Sequence, residues 1–340
     1  MFEPEANLDR RVSDTLMNAL SDASGLGAIV DLRNEDPGRY DVLLTKTSDG
    51  ESRASLYVCL TKILDVRERR GYFWLSAHRT HGSVGGFDPR WNRRQELSEL
   101  AAQRGEIIVH LRRARRAVPE SYLQSEGAAQ ALICSGVCSG FAVITREAGP
   151  SYGSQLIKNR WTSELGQPLL TAVRSTGRTD AWWPGVRDGG KLPSLGQEAD
   201  VLAVDEDGNL LVIEVKPATA AKGLAWAPVQ VLFYATVFAR LLATDESARD
   251  KLSGMLAQRR ELGLTPPNGL ELRDRASLIP VVAIGAGDVS REVLRRVPLL
   301  AAALPPQDPT KTVVAPTRVW KYDSSGDFEW QGLATEYMGD

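Results

Sequence analysis

The chain has 340 residues, of which 43% are hydrophobic and 25% charged, and a net charge of −2. These values are ordinary for a soluble globular protein, and the length favours two domains. Three cysteines, Cys59, Cys134 and Cys138, point to a reducing compartment and away from a disulfide framework. The start, MFEPEANLDRR, lacks the apolar core of a signal peptide, and no window approaches the apolar length of a membrane span. A cytoplasmic protein is expected.

In chain order, Leu8, Val12, Leu16, Met17 and Leu20 predict a helix over 7–20. Segments 27–32 and 39–45 read as strands around a turn cluster at 34–38. Two longer strands, 55–64 and 71–77, are joined through the charged link 65–70. A polar helix around 93–102, a further β segment at 107–111, a small-residue stretch at 125–140 and an apolar run at 141–145 follow. Together they predict an α+β domain over 1–148 with a mostly antiparallel sheet. Cys134 and Cys138 lack the second ligand pair of a zinc site, so buried thiols are expected. His78 and His81 lack a local third ligand and sit before Gly82, so a loop is expected there.

Charge is concentrated in this domain. From Lys62 through Arg116 there are thirteen Lys or Arg against six Asp or Glu, interleaved with Tyr72, Phe73, Trp74, Phe87 and Trp91. Basic side chains beside aromatic ones suit a surface that follows phosphates and stacks bases. Arg112, Arg113, Arg115 and Arg116 are the candidate nucleic-acid contacts; the alternatives are a solvated arginine-rich surface or a patch for a partner protein.

Gly149-Pro150 marks a boundary, and a second domain is expected over 149–340. Leu156, Ile157, Trp161 and Leu165 predict a helix over 153–165, with Pro168 in the first turn of another at 169–174. A turn-rich stretch, 175–195, carries Trp182 and Trp183, which either stack on bases or anchor the loop. Segments 199–204 and 210–216 then form two strands around an Asp-Gly turn, a strong hairpin signal.

Side chains alternate along a strand, so Glu214 and Lys216 point to one face while Ile213 and Val215 point to the other. A carboxylate and an ammonium on an otherwise apolar strand need compensation. Asp200, at the start of the partner strand, supplies a second carboxylate to the same place. Two carboxylates make a hard oxygen site suited to Mg²⁺ or Mn²⁺. Lys216, one pleat further, is placed to orient the attacking water and offset charge on a phosphate. Downstream, Gln230 and Tyr234 lie at i and i+4 on one helix face.

This ordered set, Asp200, the hairpin, Glu214-Val215-Lys216 and then Gln230-x-x-x-Tyr234, resembles the PD-(D/E)XK nuclease superfamily, in its RecB-type branch. Glu198-Ala199-Asp200 stands where the motif has Pro-Asp. The resemblance spans about 150–245. It implies an α/β class with a restriction-endonuclease-like mixed sheet flanked by helices, preceded by the α+β domain. It also implies hydrolysis of DNA, in preference to RNA, to a 5′-phosphate and a 3′-hydroxyl. Asp200 and Glu214 would hold Mg²⁺ or Mn²⁺, Lys216 would assist the water, and Gln230 and Tyr234 would shape the site. Glu198 and Glu164 are each either a further ligand or a surface residue. A homodimer, or a partner protein in defence or repair, is the assembly it suggests. Two readings from other classes stand beside it: a silent nucleic-acid-binding module, and an assembly protein activated by a partner.

Beyond the motif, 229–242 and 246–262 predict helices, 278–284 a buried strand, 291–303 a helix covering it, and 313–322 with 328–330 a closing hairpin. These extend the second domain as a further α/β layer. No G-x-x-x-x-G-K-[ST] loop occurs, so nucleotide hydrolysis is not expected. Gly136-Val137-Cys138-Ser139-Gly140 does not match the G-x-S-x-G of esterases.

Overall fold

The computed structural model describes residues 5–22, 25–47, 49–77, 87–119, 121, 126–136, 140–176, 195, 198–217, 220–267, 269–285, 296, 300, 313–322 and 328–333, without the side chains of 221, 222 and 328–333. His78, His81, Cys138, Trp182 and Trp183, and nearly all of 177–197 and 286–312, lie outside them. The chain divides into two compact units. One contains Met1–Leu8, Arg146–Asp250 and Leu270–Asp340, the other Asp9–Thr145 and Lys251–Gly269. The chain therefore passes between units at four places, where the sequence suggests a single boundary after residue 148.

The first strand, β1 (Ala6–Asn7), belongs to the unit of the mixed sheet. The antiparallel unit begins with α1 (Asp14–Ser21) and α2 (Gly27–Glu35). A four-stranded sheet follows: β2 (Tyr40–Lys46), β3 (Ser52–Val58), β4 (Thr61–Arg69) and β5 (Tyr72–Ala77), neighbours in that order and all antiparallel. After a 3₁₀ turn at Pro89–Asn92 come α3 (Leu97–Ala102), α4 (Arg104–Ala117) and α5 (Glu126–Cys134). Alternate residues Val42, Leu44, Ala54, Leu56, Leu64, Val66, Phe73 and Leu75 enter one core with Leu16, Leu20 and Ile29, as a half-covered antiparallel sheet requires.

Five expectations change here. The helix over 7–20 begins only at Asp14, because Ser13 takes an extended backbone and its hydroxyl accepts the Leu16 N–H at 3.2 Å. Segment 27–32 is a helix, and so is 107–111. In α4 the buried residues are Ile107, His110, Leu111 and Ala114, a helical stripe that a five-residue window does not contain. Segment 55–64 is not one strand, since the chain reverses at Cys59-Leu60, where Cys59 has φ 54°. The charged link 65–70 lies mostly inside β4, and the reversal falls on Arg70-Gly71, both with positive φ, the signature of a two-residue hairpin loop.

Two buried arginines tie distant segments of this unit together. Arg259 donates to the Val42 carbonyl at 3.0 Å and lies 3.2 Å from Asp41, whose side chain is fully buried. Arg33 donates to the carbonyls of Gly263, Leu264 and Ser135. Burial and then the neighbouring Arg259 charge push the Arg33 guanidinium down to about 10, which leaves it charged near neutral pH. The segment Lys251–Gly269 is thus part of this core.

In the other unit, β6 (Phe141–Ala148) runs across the unit boundary, and β7 (Ser151–Tyr152) pairs antiparallel with β1. Then come α6 (Gln155–Thr176), β8 (Ala199–Asp205), β9 (Leu210–Lys216), α7 (Ala221–Thr244), α8 (Ala248–Glu261), which passes into the antiparallel unit after Asp250, and then β10 (Leu278–Ile284), β11 (Arg318–Tyr322) and β12 (Phe328–Leu333). The sheet order is β12-β11-β10-β9-β8-β6. Strand β10 is parallel to β9 and β11, whereas β8 with β9 and β11 with β12 are antiparallel. The class is mixed α/β. The two expected helices at 153–165 and 169–174 are one, with Pro168 inside α6.

Parallel strands need a crossover, and α7 lies in the one between β9 and β10. It packs on β8, β9 and β10, while α6 packs on α7. Every residue of β9 and β10 is buried. This burial explains why α7 is so apolar: its stretch Gly223–Thr244, mean hydropathy 1.4, is long and apolar enough to cross a membrane, contrary to the sequence expectation, yet 67% of that window is buried in the fold.

Candidate active site

The hairpin of β8 and β9 brings three ionisable side chains together. The turn is closed by Asp205, whose carboxylate accepts the Asn209 N–H at 2.8 Å, with Gly208 at φ 73°. The register pairs Val201 with Ile213; carried one residue further, it sets Asp200 opposite Glu214 on the same face. Asp200 Oδ2 accepts the Val215 N–H at 2.7 Å, which fixes the carboxylate beside the second strand. Lys216 Nζ lies 2.8 Å from Glu214 Oε1 and 4.0 Å from Asp200 Oδ2. The Glu214 side chain is 3% exposed and that of Lys216 10%. On the neighbouring strand, Val282 and Ile284 stand beside Glu214 and Lys216, so the charged group is set in apolar surroundings.

The helix that follows adds to this group. Tyr234, on α7, is 4% exposed. Burial, and next the charges of Glu214 and Asp200, raise its phenol pKa well above the usual range, against a smaller opposing effect of Lys216. The hydroxyl therefore stays protonated and keeps its proton for donation. Gln230, one turn earlier, is half-buried. Glu198 is exposed just before β8, and its charge also acts on Tyr234. Glu164 is engaged elsewhere: it lies on α6 with its carboxylate 2.5 Å from Arg240.

No family model, curated protein or solved structure matches the chain. Among the described residues no three His, Cys, Asp or Glu converge as a ligand group. Two carboxylates with an ammonium in contact still fit Mg²⁺ or Mn²⁺, which keep waters and take substrate oxygens to complete their coordination.

Several residues around the site carry no sequence signal. The Lys216 carbonyl accepts the Gly285 N–H at 3.0 Å, and the Tyr322 hydroxyl approaches it at 3.5 Å. Gly223, in the first turn of α7, lies against the lysine stem: a Cβ there would stand 3.1 Å from Lys216 Cδ. Gly223→Val is expected to push the ammonium off Glu214 and to slow any reaction that depends on it by about 10–100-fold. The thermal midpoint should change little. A variant with wild-type rates would remove Gly223 from the account.

On the antiparallel unit, the four candidate arginines lie along α4. Arg112, Arg113 and Arg116 are exposed, and Arg115 is half-buried. Arg112 is paired with Glu35 at 3.0 Å, and Arg104, earlier on the same helix, with Asp31 at 2.6 Å.

Proposed function

We propose that the chain is a cytoplasmic, metal-dependent nuclease that hydrolyses DNA, with a restriction-endonuclease-like arrangement of the mixed sheet. The observation that carries this reading is the Asp200, Glu214 and Lys216 group on the β8–β9 hairpin. A buried ion pair adds little stability over apolar residues of similar volume, so its presence on a strand that is otherwise Leu, Val and Ile favours a chemical role.

In this reading Asp200 and Glu214 hold Mg²⁺ or Mn²⁺, which supplies a polarised phosphate and a water of lowered pKa when bound. Asp200 is pre-oriented by the Val215 N–H, so its carboxylate needs no rearrangement to accept the cation. Lys216 orients the attacking water and offsets negative charge developing on the phosphate. The Tyr234 hydroxyl, held protonated, is available as a donor to a substrate oxygen, and Gln230 offers an amide on the same helix face. The exposed arginines of α4, Arg113 and Arg116 above all, supply phosphate contacts, with Arg112 exchanging Glu35 for phosphate and Arg115 at the border.

The test is incubation of the full chain with linear and circular DNA, single- and double-stranded, in Mg²⁺, in Mn²⁺ and in EDTA. Cutting in either metal and none in EDTA is expected, and cutting of the circle marks an endonuclease. A chain that binds DNA but cuts nothing under any condition would instead be the silent binding module.

A further inference from the structure

The second face of the antiparallel sheet is covered at β2, where Asp41 and Leu43 are buried, but only partly at β4 and β5. Strand alternation sends Leu64, Val66, Phe73 and Leu75 inward and leaves Arg67, Arg69, Tyr72 and Trp74 on the other side. The register sets Arg67 directly opposite Trp74 and Arg69 opposite Tyr72. Arg53 of β3 stands on the other flank of Arg67. Tyr72 and Trp74 are both half-buried, each leaving part of its ring accessible. Gln95 exchanges two backbone hydrogen bonds of 3.0 Å with Phe73, and so sets its neighbour Arg94 against the sheet. The Arg94 guanidinium lies 3.3 Å from the centroid of the Tyr72 ring.

The charges on this face are not all compensated. Arg53 pairs with Glu51 and Arg69 with Asp49. No carboxylate pairs with Arg67 or Arg94 among the described residues. Arg67 Nε is buried without a hydrogen-bond acceptor, an arrangement that costs free energy until an acceptor arrives. A guanidinium lacking its acceptor, between a second arginine and a tryptophan, fits an anion whose neighbours are flat and apolar. That is the chemistry of a nucleotide strand, with phosphates and bases in alternation.

We infer that the outer face of β4 and β5 binds single-stranded nucleic acid. One base stacks on Trp74, another on the exposed plane of the Arg94 guanidinium held over Tyr72, and the phosphate between them takes Arg67. Unpaired bases are required, because a duplex hides their faces. The choice of nucleic acid as the ligand rests on the proposed nuclease function; the face itself belongs to the other unit from Asp200, Glu214 and Lys216.

The experiment is fluorescence anisotropy with a labelled oligothymidylate and with a duplex of the same length, using the full chain in EDTA so that nothing is cut. The wild type should prefer the single strand. Trp74→Leu and Arg94→Gln should each weaken single-strand binding roughly tenfold and leave duplex binding within about twofold, as loss of a stacked base requires. Trp74→Phe, which keeps a flat ring, should retain most of the affinity. Arg113→Ala with Arg116→Ala, a pure phosphate change, should weaken both ligands alike. Equal wild-type affinity for the two ligands overturns the inference, as does unchanged single-strand binding in Arg94→Gln, an exposed substitution that leaves the core intact. Cutting measured separately with Mg²⁺ tests the nuclease reading, so either proposal can fail while the other stands.

Discussion

Lys216→Ala is expected to lower Mg²⁺-dependent cutting by about 10²–10³-fold, the usual consequence of losing one donor aimed at developing charge. The same substitution leaves Glu214, whose side chain is 3% exposed, without its ammonium, so loss of activity alone could reflect a weakened fold. Metal affinity separates the two explanations. With the ammonium gone, less positive charge opposes a cation at Asp200 and Glu214, and calorimetry should show Mg²⁺ or Mn²⁺ bound as tightly as in the wild type or more so. Asp200→Asn and Glu214→Gln should instead lose both cutting and metal binding, since each removes a charged oxygen donor. A Lys216→Ala protein that cuts at the wild-type rate would sink the assignment, and so would Glu214→Gln with undiminished metal affinity.

Arg259→Met should cost about 3–5 kcal/mol of stability, the range for stripping a buried charge of its partner. The change removes the guanidinium that lies 3.2 Å from the buried Asp41 and takes a donor from the Val42 carbonyl. Urea titration followed by a tertiary probe should show the midpoint fall steeply. Pairing the change with Asp41→Asn should restore part of the loss, because a neutral amide no longer needs the guanidinium. The exposed pair of Glu164 and Arg240 is the control: Glu164→Gln should shift stability by no more than about 1 kcal/mol. Similar small shifts for both variants would mean that Arg259 does not hold Lys251–Gly269 in the core.

The hairpin and its ionisable residues were legible because strand alternation and an Asp-Gly turn are local signals. The placement of Asp200 against β9 followed from the same register. Segments 27–32 and 107–111 look like strands in the sequence, although they lie in helices, because short apolar runs such as Ala28-Ile29-Val30 and Ile107-Ile108-Val109 carry no period of their own. The reversal at Cys59-Leu60 was missed because neither residue announces a turn. Gly223 and Gly285 have meaning only through residues they meet in space. The same is true of Arg33 and Arg259, since an arginine in a sequence gives no hint that it will be 4% or 2% exposed. Glu164 is the reverse case: a carboxylate in the expected helix, paired with Arg240 on α7.

The interleaving of the two units also bears on how the chain is made. A ribosome delivers Asp9–Thr145 first, but the antiparallel core awaits Arg259 on Lys251–Gly269. Meanwhile residues 146–250 emerge and already contain α6, the hairpin and α7. The β10 strand, which lies against the full length of β9, arrives only after that insertion. Neither unit can finish folding before the other is largely synthesised. Release of a nascent chain at residue 148 should therefore yield an aggregation-prone fragment rather than a free-standing domain.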